Sequence, residues 1–175
     1  MAYNHHNKGT GLVSLQTICI TPSKYPSMVL SNPIHFRFLA KGHVNILATH
    51  ASTFEVTMEP YITHRGDCII GVESTHAAQH LKFILGDALR HPNSQVQTIL
   101  SVGDVLECIQ GTGSPHLLLS SPTSLVWRTS DYIDERTIAI NCDKAARDFN
   151  PDMIELLQTP ETILQIALSV FSGDT

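Results

Sequence analysis

The chain has 175 residues, 42% of them hydrophobic and 15% charged, with a net charge of −5 at pH 7 and a pI near 6.0. This length and composition predict one globular domain whose core needs neither a disulfide nor a structural metal. The negative charge argues against a protein held on DNA by general phosphate attraction, although a local basic patch could still bind nucleic acid. No apolar run approaches the roughly 20 residues of a membrane span.

The four cysteines are spaced too widely for a C-x-x-C metal or redox motif, and three of them lie in apolar, strand-like runs. We therefore predict that all four are reduced and structural. Reduced cysteines are typical of a cytoplasmic protein, and a nuclear location would fit equally well. The four are Cys19, Cys68, Cys108 and Cys142.

The first 32 residues are predicted to be an extension, and residues 33–175 a single β-rich domain. Residues 1–10 are polar and lack the charged and then apolar layout of a signal peptide. Residues 11–20, GLVSLQTICI, could add a strand, whereas the three prolines of residues 21–33 break regular structure.

Alternating hydrophobicity predicts a strand over residues 34–40 and two more over 44–49 and 53–58. The short polar link His50, Ala51 and Ser52 makes a β-hairpin the simplest interpretation of the last two. In the second strand Thr53, Glu55 and Thr57 alternate with apolar residues and share one face.

The rest of the chain predicts a mainly β protein of the α+β class. Gly66 and Asp67 turn into an apolar strand over residues 68–72, and an amphipathic helix capped by Ser74 follows at about 74–90. Asn150 and Pro151 predict a short helix near 151–157, while residues 163–171 could form a strand or a helix. Short strands between turn residues predict a sandwich or a barrel, with strands at 96–102, 105–109, 117–119, 125–129 and 137–142.

The first candidate site combines His43, His50 and Glu55. Two imidazoles and a carboxylate suit a divalent metal, although their spacing matches no named metal motif. The alternative is that both histidines cap turns while Glu55 pairs with a cation such as Arg37 or Lys41.

Two further polar groups are candidates. Arg65 could hold an anionic group while Asp67 orients His64 or His50 as a base, or Arg65 and Asp67 could simply pair within their loop. Secondary candidates flank the predicted strand over residues 137–142, where solvated charges at strand ends are the alternative: Arg128, Arg136 and Lys144. Cys68 begins an apolar strand, which argues against a reactive thiolate.

Several separated motifs resemble the DUF371 family, small archaeal and eukaryotic proteins without an assigned function. They are GHVNILATHASTFEVT, THRGDCIIGV and VWRTSDYIDERTIAINCDKAA, in that order, and the resemblance covers about residues 34–170. It implies a β-sandwich of jelly-roll type with a helix packed on it, and it supplies no catalytic residue.

Three functional hypotheses follow. The leading one is a binding protein for a small polar or anionic ligand, and its oligomeric state is left open. The second is a metal-assisted hydrolase with His43, His50 and Glu55 as ligands. The third is a protein-interaction module that uses a sheet edge, a helix face or the N-terminal extension. The candidate ligand-binding residues are His43, His50, Thr53, Glu55, Thr57, His64, Arg65 and Asp67.

Overall fold

The computed structural model describes residues 32–63 and 65–172, which form eight strands and two α-helices. The strands are β1 (Ile34–Lys41), β2 (Thr53–Thr57), β3 (Ile69–Gly71), β4 (Gln95–Val102), β5 (Val105–Thr112), β6 (Ser124–Arg128), β7 (Thr137–Ala139) and β8 (Ile163–Phe171). The helices are α1 (Ala78–Leu89) and α2 (Pro151–Leu157). The prediction of a mainly β, α+β protein is confirmed, and residues 163–171 are a strand.

The strands form two four-stranded sheets. Sheet 1 has the order β1-β8-β4-β5 and is antiparallel throughout. Sheet 2 has the order β3-β2-β6-β7, in which β2 and β6 are antiparallel and both outer pairs are parallel. Single bridges between Lys41 and Val72 and between Thr112 and Ile140 join the two sheets near their edges.

One hydrophobic core lies between the two sheets and under both helices. Phe54 of β2 stacks on Trp127 of β6 with ring centroids 4.6 Å apart, and both side chains are fully buried. The Trp127 indole N–H donates to Thr98 Oγ1 of β4 at 2.8 Å, so one hydrogen bond connects the buried faces of the two sheets. None of the helices among the described residues is long and apolar enough to cross a membrane.

The predicted hairpin is wrong. Residues 44–49 are not a strand, because Ile46 N–H donates to His43 O in a turn and Ala48 has a positive φ of 51°. The antiparallel partner of β2 is β6, about 70 residues further along the chain. Local alternation identified β2, but it carries no information about which strand pairs with it.

Other boundaries also differ from the predictions. Residues 117–119 are an irregular loop rather than a strand, and the carbonyls of Leu117 and Leu118 accept hydrogen bonds from the Arg90 guanidinium. The predicted strand over 137–142 ends at Ala139, and Asn141 has a positive φ of 51°. Helix α1 begins at Ala78, after a turn in which the Ser74 hydroxyl donates to His76 O.

The prediction that all four cysteines are reduced fails at one position. Cys68 and Cys142 carry free thiols, whereas Cys108 is disulfide-bonded. Cys19 lies outside the described residues. The cytoplasmic location therefore remains a prediction without that support.

Candidate functional site

The outer face of sheet 2 carries polar side chains that are nevertheless buried. Phe54 and Val56 of β2 point into the core, so alternation places Thr53, Glu55 and Thr57 on the opposite face. The register between β2 and β6 sets Thr53 opposite Arg128. We call this surface the polar face, and its members are each less than 9% exposed: Thr53, Glu55, Thr57, Ser124, Arg128 and Thr137.

Asp134 binds two guanidinium groups at one edge of the polar face. Its Oδ2 accepts from Arg128 Nη2 at 2.6 Å and from Arg136 Nη2 at 2.9 Å, while its Oδ1 accepts from the Thr137 hydroxyl at 3.0 Å. Desolvation opposes ionisation of the carboxyl group, but the hydrogen bonds from Arg136, Arg128 and Thr137 lower its pKa from 3.8 to about 2. Asp134 is therefore ionised at neutral pH and fixes both arginines.

Arg136 extends this network to β2. Its Nη1 donates to Glu55 Oε2 at 3.2 Å, and the Cys68 thiol donates to the same oxygen at 3.6 Å. Burial, together with the negative charge of Glu55, raises the pKa of Cys68 from 9.0 to about 11. The thiol thus remains protonated at neutral pH, in keeping with the prediction that Cys68 is not a nucleophile.

His50 lies over the other end of the same strand face. Its Nδ1 accepts from the backbone N–H groups of Ser52 and Thr53, at 3.3 and 3.2 Å, and lies 2.9 Å from Thr53 Oγ1. Thr53 contacts His50, and Glu55, which lies two residues or roughly 7 Å further along the strand, contacts Arg136. The Nε2 atom of His50 takes part in none of these bonds.

The loop before β3 lies beside His50. Asp67 O accepts from the backbone N–H groups of Thr49 and His50, and Cys68 O accepts from Glu55 N–H. Arg65 is exposed at the start of this loop, and His64 lies outside the described residues. The structure therefore brings together predicted residues from three separate groups: His50, Thr53, Glu55 and Asp67 with Arg128 and Arg136.

Three of the predicted site residues take no part in the contacts around Asp134 and His50. His43 Nδ1 accepts from Asn45 N–H, and its backbone N–H donates to Leu157 O at the end of α2. The Thr57 hydroxyl is bonded at the far end of β2, where it donates to Thr123 O. Lys144 pairs with the buried Glu107 of β5 at 2.5 Å.

The three proposed metal ligands do not converge. No group of three or more His, Cys, Asp or Glu side chains that could hold a metal ion occurs among residues 32–63 and 65–172. His43 and His50 each accept turn N–H groups, as the alternative interpretation expected. Glu55 does pair with a cation, but the cation is Arg136 rather than Arg37 or Lys41.

Sequence reasoning missed Asp134. It lies among the acidic residues Asp131, Asp134 and Glu135, where nothing distinguishes one carboxylate from the next. Its position two residues before Arg136 was the available signal, because an Asp side chain commonly accepts the backbone N–H two residues on, as it does here at 3.0 Å.

Fold and site together define an α+β protein with two sheets and a buried ionic network on one outer face. The family model described as "Domain of unknown function (DUF371)" matches residues 38–171 of this chain. The chain therefore belongs to the DUF371 family. It is also similar to the uncharacterized protein MJ0206 of Methanocaldococcus jannaschii, with 34% identity over 131 residues that cover 75% of this chain and 96% of that protein.

Proposed function

We propose that this protein binds a small polar ligand with an anionic group above the polar face, between Arg136 and His50. The proposal rests on one observation: the Arg136 side chain is partly exposed and is held in place by two carboxylates. Its side chain is 40% exposed, yet the carboxylates of Asp134 and Glu55, which are only 17% and 8% exposed, hold it in place. A guanidinium that is fixed before the ligand arrives loses little conformational entropy on binding.

Arg136 also keeps hydrogen-bond donors available. An arginine has five N–H donors, and three of those of Arg136 reach Asp134 and Glu55. The remaining N–H groups belong to the two terminal nitrogens, where a carboxylate or phosphate oxygen can accept them. The ion pairs offset the charge of Arg136, so hydrogen bonding would contribute more to recognition than net charge.

The neighbouring side chains suit the polar part of such a ligand. His50 uses Nδ1 to cap its own turn, which leaves Nε2 as the ring atom for an external partner. Arg65 and Asp67 lie on the adjoining loop, and the Thr53 hydroxyl is hydrogen-bonded to His50 Nδ1. This combination supports a ligand with both an anionic oxygen and hydroxyl or amide groups.

The test is a thermal-shift screen of small carboxylates and phosphorylated compounds, followed by calorimetry of every compound that stabilises the full chain. Arg136→Lys keeps the charge and removes the planar fork, and His50→Asn retains a short acceptor for the turn. We expect each substitution to weaken binding by about tenfold or more, the loss of roughly 1.4 kcal/mol. Arg37→Lys on β1 of sheet 1 is the matched control and should leave the affinity unchanged.

The proposal is wrong if the two site variants fold normally and bind every compound as tightly as the unsubstituted chain does. It is also wrong if Arg37→Lys weakens binding as much as Arg136→Lys.

A further inference from the structure

Tyr132 is an exposed aromatic residue whose ring rests on a fixed cation. The Arg128 guanidinium carbon lies over the ring, 4.9 Å from its centre. The Arg128 side chain is only 10% exposed, and it donates to the Thr137 hydroxyl at 2.9 Å and to the Asp134 carboxylate at 2.6 Å. Tyr132 itself is 60% exposed. One face of its ring is thus packed against Arg128, and the opposite face is accessible.

The loop between β6 and β7, which carries Tyr132, is fixed at both ends. At its start the Thr129 N–H donates to Ser52 O at 2.9 Å. At its end Glu135 O accepts from the two backbone N–H groups of residues 120 and 121, at 3.0 and 2.9 Å. An aromatic ring that is held in this way loses little conformational entropy when a ligand contacts it.

This loop also connects the two groups of the proposed ligand site. Ser52, at its start, belongs to the turn that His50 caps. Near its end, one Asp134 oxygen accepts from Arg136 and from the guanidinium that lies against Tyr132. Tyr132 lies between these two points along the loop. Its accessible face therefore borders the space between Arg136 and His50.

We propose that Tyr132 is a stacking platform and that the ligand of this site is a nucleoside monophosphate, an inference that rests on the proposed function. The base would stack on Tyr132, the free N–H groups of Arg136 would donate to the phosphate, and His50 Nε2 would face the sugar hydroxyls. A nucleotide combines these three chemical features in one small molecule. Stacking accepts any base, because every base has a π-face, so the platform does not by itself select one.

The charge of the chain favours a free nucleotide over a nucleic acid. The net charge is −5, whereas proteins that bind long polyanions do so largely through phosphate attraction. At the site itself, the carboxylates of Asp134 and Glu55 offset the charge of Arg136. A single phosphate bound by directed hydrogen bonds suits this arrangement better than a chain of phosphates.

Calorimetry on the full chain tests the inference with matched compounds. Uridine and adenosine monophosphates carry a base, sugar hydroxyls and a phosphate, whereas ribose phosphate lacks only the base. We expect each nucleotide to bind about fivefold or more tightly than ribose phosphate, which is the contribution typical of one base stacked on an aromatic side chain. Uridine, which lacks the phosphate, should bind more weakly than its monophosphate.

Substitutions of Tyr132 separate stacking from the other contacts. Tyr132→Phe keeps the ring and should bind the nucleotides as tightly as the unsubstituted chain does. Tyr132→Leu removes the ring, so the nucleotides should bind only as tightly as ribose phosphate, whose own affinity should not change. Tyr61→Leu is the matched control, since Tyr61 is 75% exposed and follows the opposite end of β2. It should leave every affinity unchanged, and thermal unfolding checks that all variants fold.

The outcomes distinguish this inference from the proposed function. If nucleotides and ribose phosphate bind equally well and Arg136→Lys weakens both, the platform is wrong and the anion site stands. If none of these compounds binds while other anionic compounds do, the nucleotide assignment alone is overturned. Tighter binding of a short single strand than of its monophosphates would overturn the assignment of a free nucleotide. Binding of no anionic compound at all would overturn both proposals.

Discussion

Asp134 organises the polar face because a single carboxylate satisfies two arginines and a threonine. Arg128 is largely buried, with 10% of its side chain exposed, so its charge depends on Asp134 for compensation. Its guanidinium carbon also lies 4.9 Å from the centre of the Tyr132 ring, which adds a cation–π contact. Loss of the carboxylate would leave a buried cation without its ion pair.

We predict that Asp134→Asn destabilises the protein by about 2 kcal/mol at neutral pH, between the values for exposed and buried ion pairs. The pKa of Asp134 is lowered from 3.8 to about 2 on folding, so its ionised form contributes stability above pH 3.8. That contribution is lost as pH falls from 3.8 towards about 2. Urea unfolding of both proteins across this range should show their difference constant near neutrality and shrinking in acid. A difference that is unchanged at about pH 2 would contradict this role.

The sequence identified most residues of the site but not their grouping. Glu55 was a candidate together with His43 and His50, whereas Arg128 and Arg136 were secondary candidates flanking another predicted strand. The contact of Glu55 with Arg136 depends on the pairing of β2 with β6 and of β6 with β7, and such long-range register is not encoded in any local pattern. His43 shows the opposite case, because its proximity in sequence to His50 suggested a convergence that the turn at residues 43–46 prevents.

At the scale of elements, the segment before β2 is held against α2 by a close backbone contact at Gly42. Gly42 N–H donates to Thr162 O, and His43 N–H donates to Leu157 O. A Cβ added at Gly42 would collide with the carbonyl oxygens of Leu157 and Thr159. The contact fixes where the chain leaves β1 and therefore where the turn before β2 begins.

We predict that Gly42→Ala destabilises the protein by about 3 kcal/mol, since backbone atoms of two segments must move to accept the methyl group. Gly86→Ala is the matched control. Gly86 lies inside α1, where the nearest side-chain atom would be 3.7 Å from the added Cβ, so alanine should stabilise the helix by about 0.5–1 kcal/mol. Thermal and urea unfolding should show shifts of opposite sign, and shifts of the same sign would contradict the argument.

The elements differed in how well they could be predicted. Strand β4 was predicted over residues 96–102, and Asn150 caps α2 by accepting a hydrogen bond from Asp152 N–H, as its sequence context predicted. Residues 163–171 were left open between strand and helix, because the run is apolar on both faces of the strand that they form. Residues 44–49 and 117–119 were predicted as strands because they are short, mainly apolar runs between turn residues. Positive φ angles at Ala48 and Leu119 break them, and a positive φ at alanine or leucine leaves no trace in the sequence.

At the scale of the whole molecule, the Trp127 indole joins the two sheets. Trp127 is the only tryptophan of the chain, so its fluorescence reports on the core between them. The ring is fully buried and stacked on Phe54, and its N–H has Thr98 Oγ1 as partner. A buried N–H donor without an acceptor lowers the free energy of unfolding, because it loses its hydrogen bond to water and gains none in the protein.

Thr98→Val should therefore destabilise the protein by about 2 kcal/mol, because it keeps the shape of the side chain but removes the acceptor. Thr98→Ser retains the hydroxyl and loses only a methyl group, so its cost should be about 1 kcal/mol. Fluorescence-detected urea unfolding measures both. If the valine variant is as stable as the unsubstituted protein, the hydrogen bond does not stabilise the contact between the sheets.

Strand β8 lies in the middle of sheet 1, between β1 and β4, although it is the last strand along the chain. During synthesis, β1 emerges first and has no partner in that sheet until residues 163–171 are made. The edge of β1 that pairs with β8 in the folded protein therefore lacks this partner while about 120 residues between the two strands are translated. At typical ribosomal rates this interval is roughly ten seconds. Protection of nascent chains from edge-to-edge aggregation is thus a requirement set by the strand order itself.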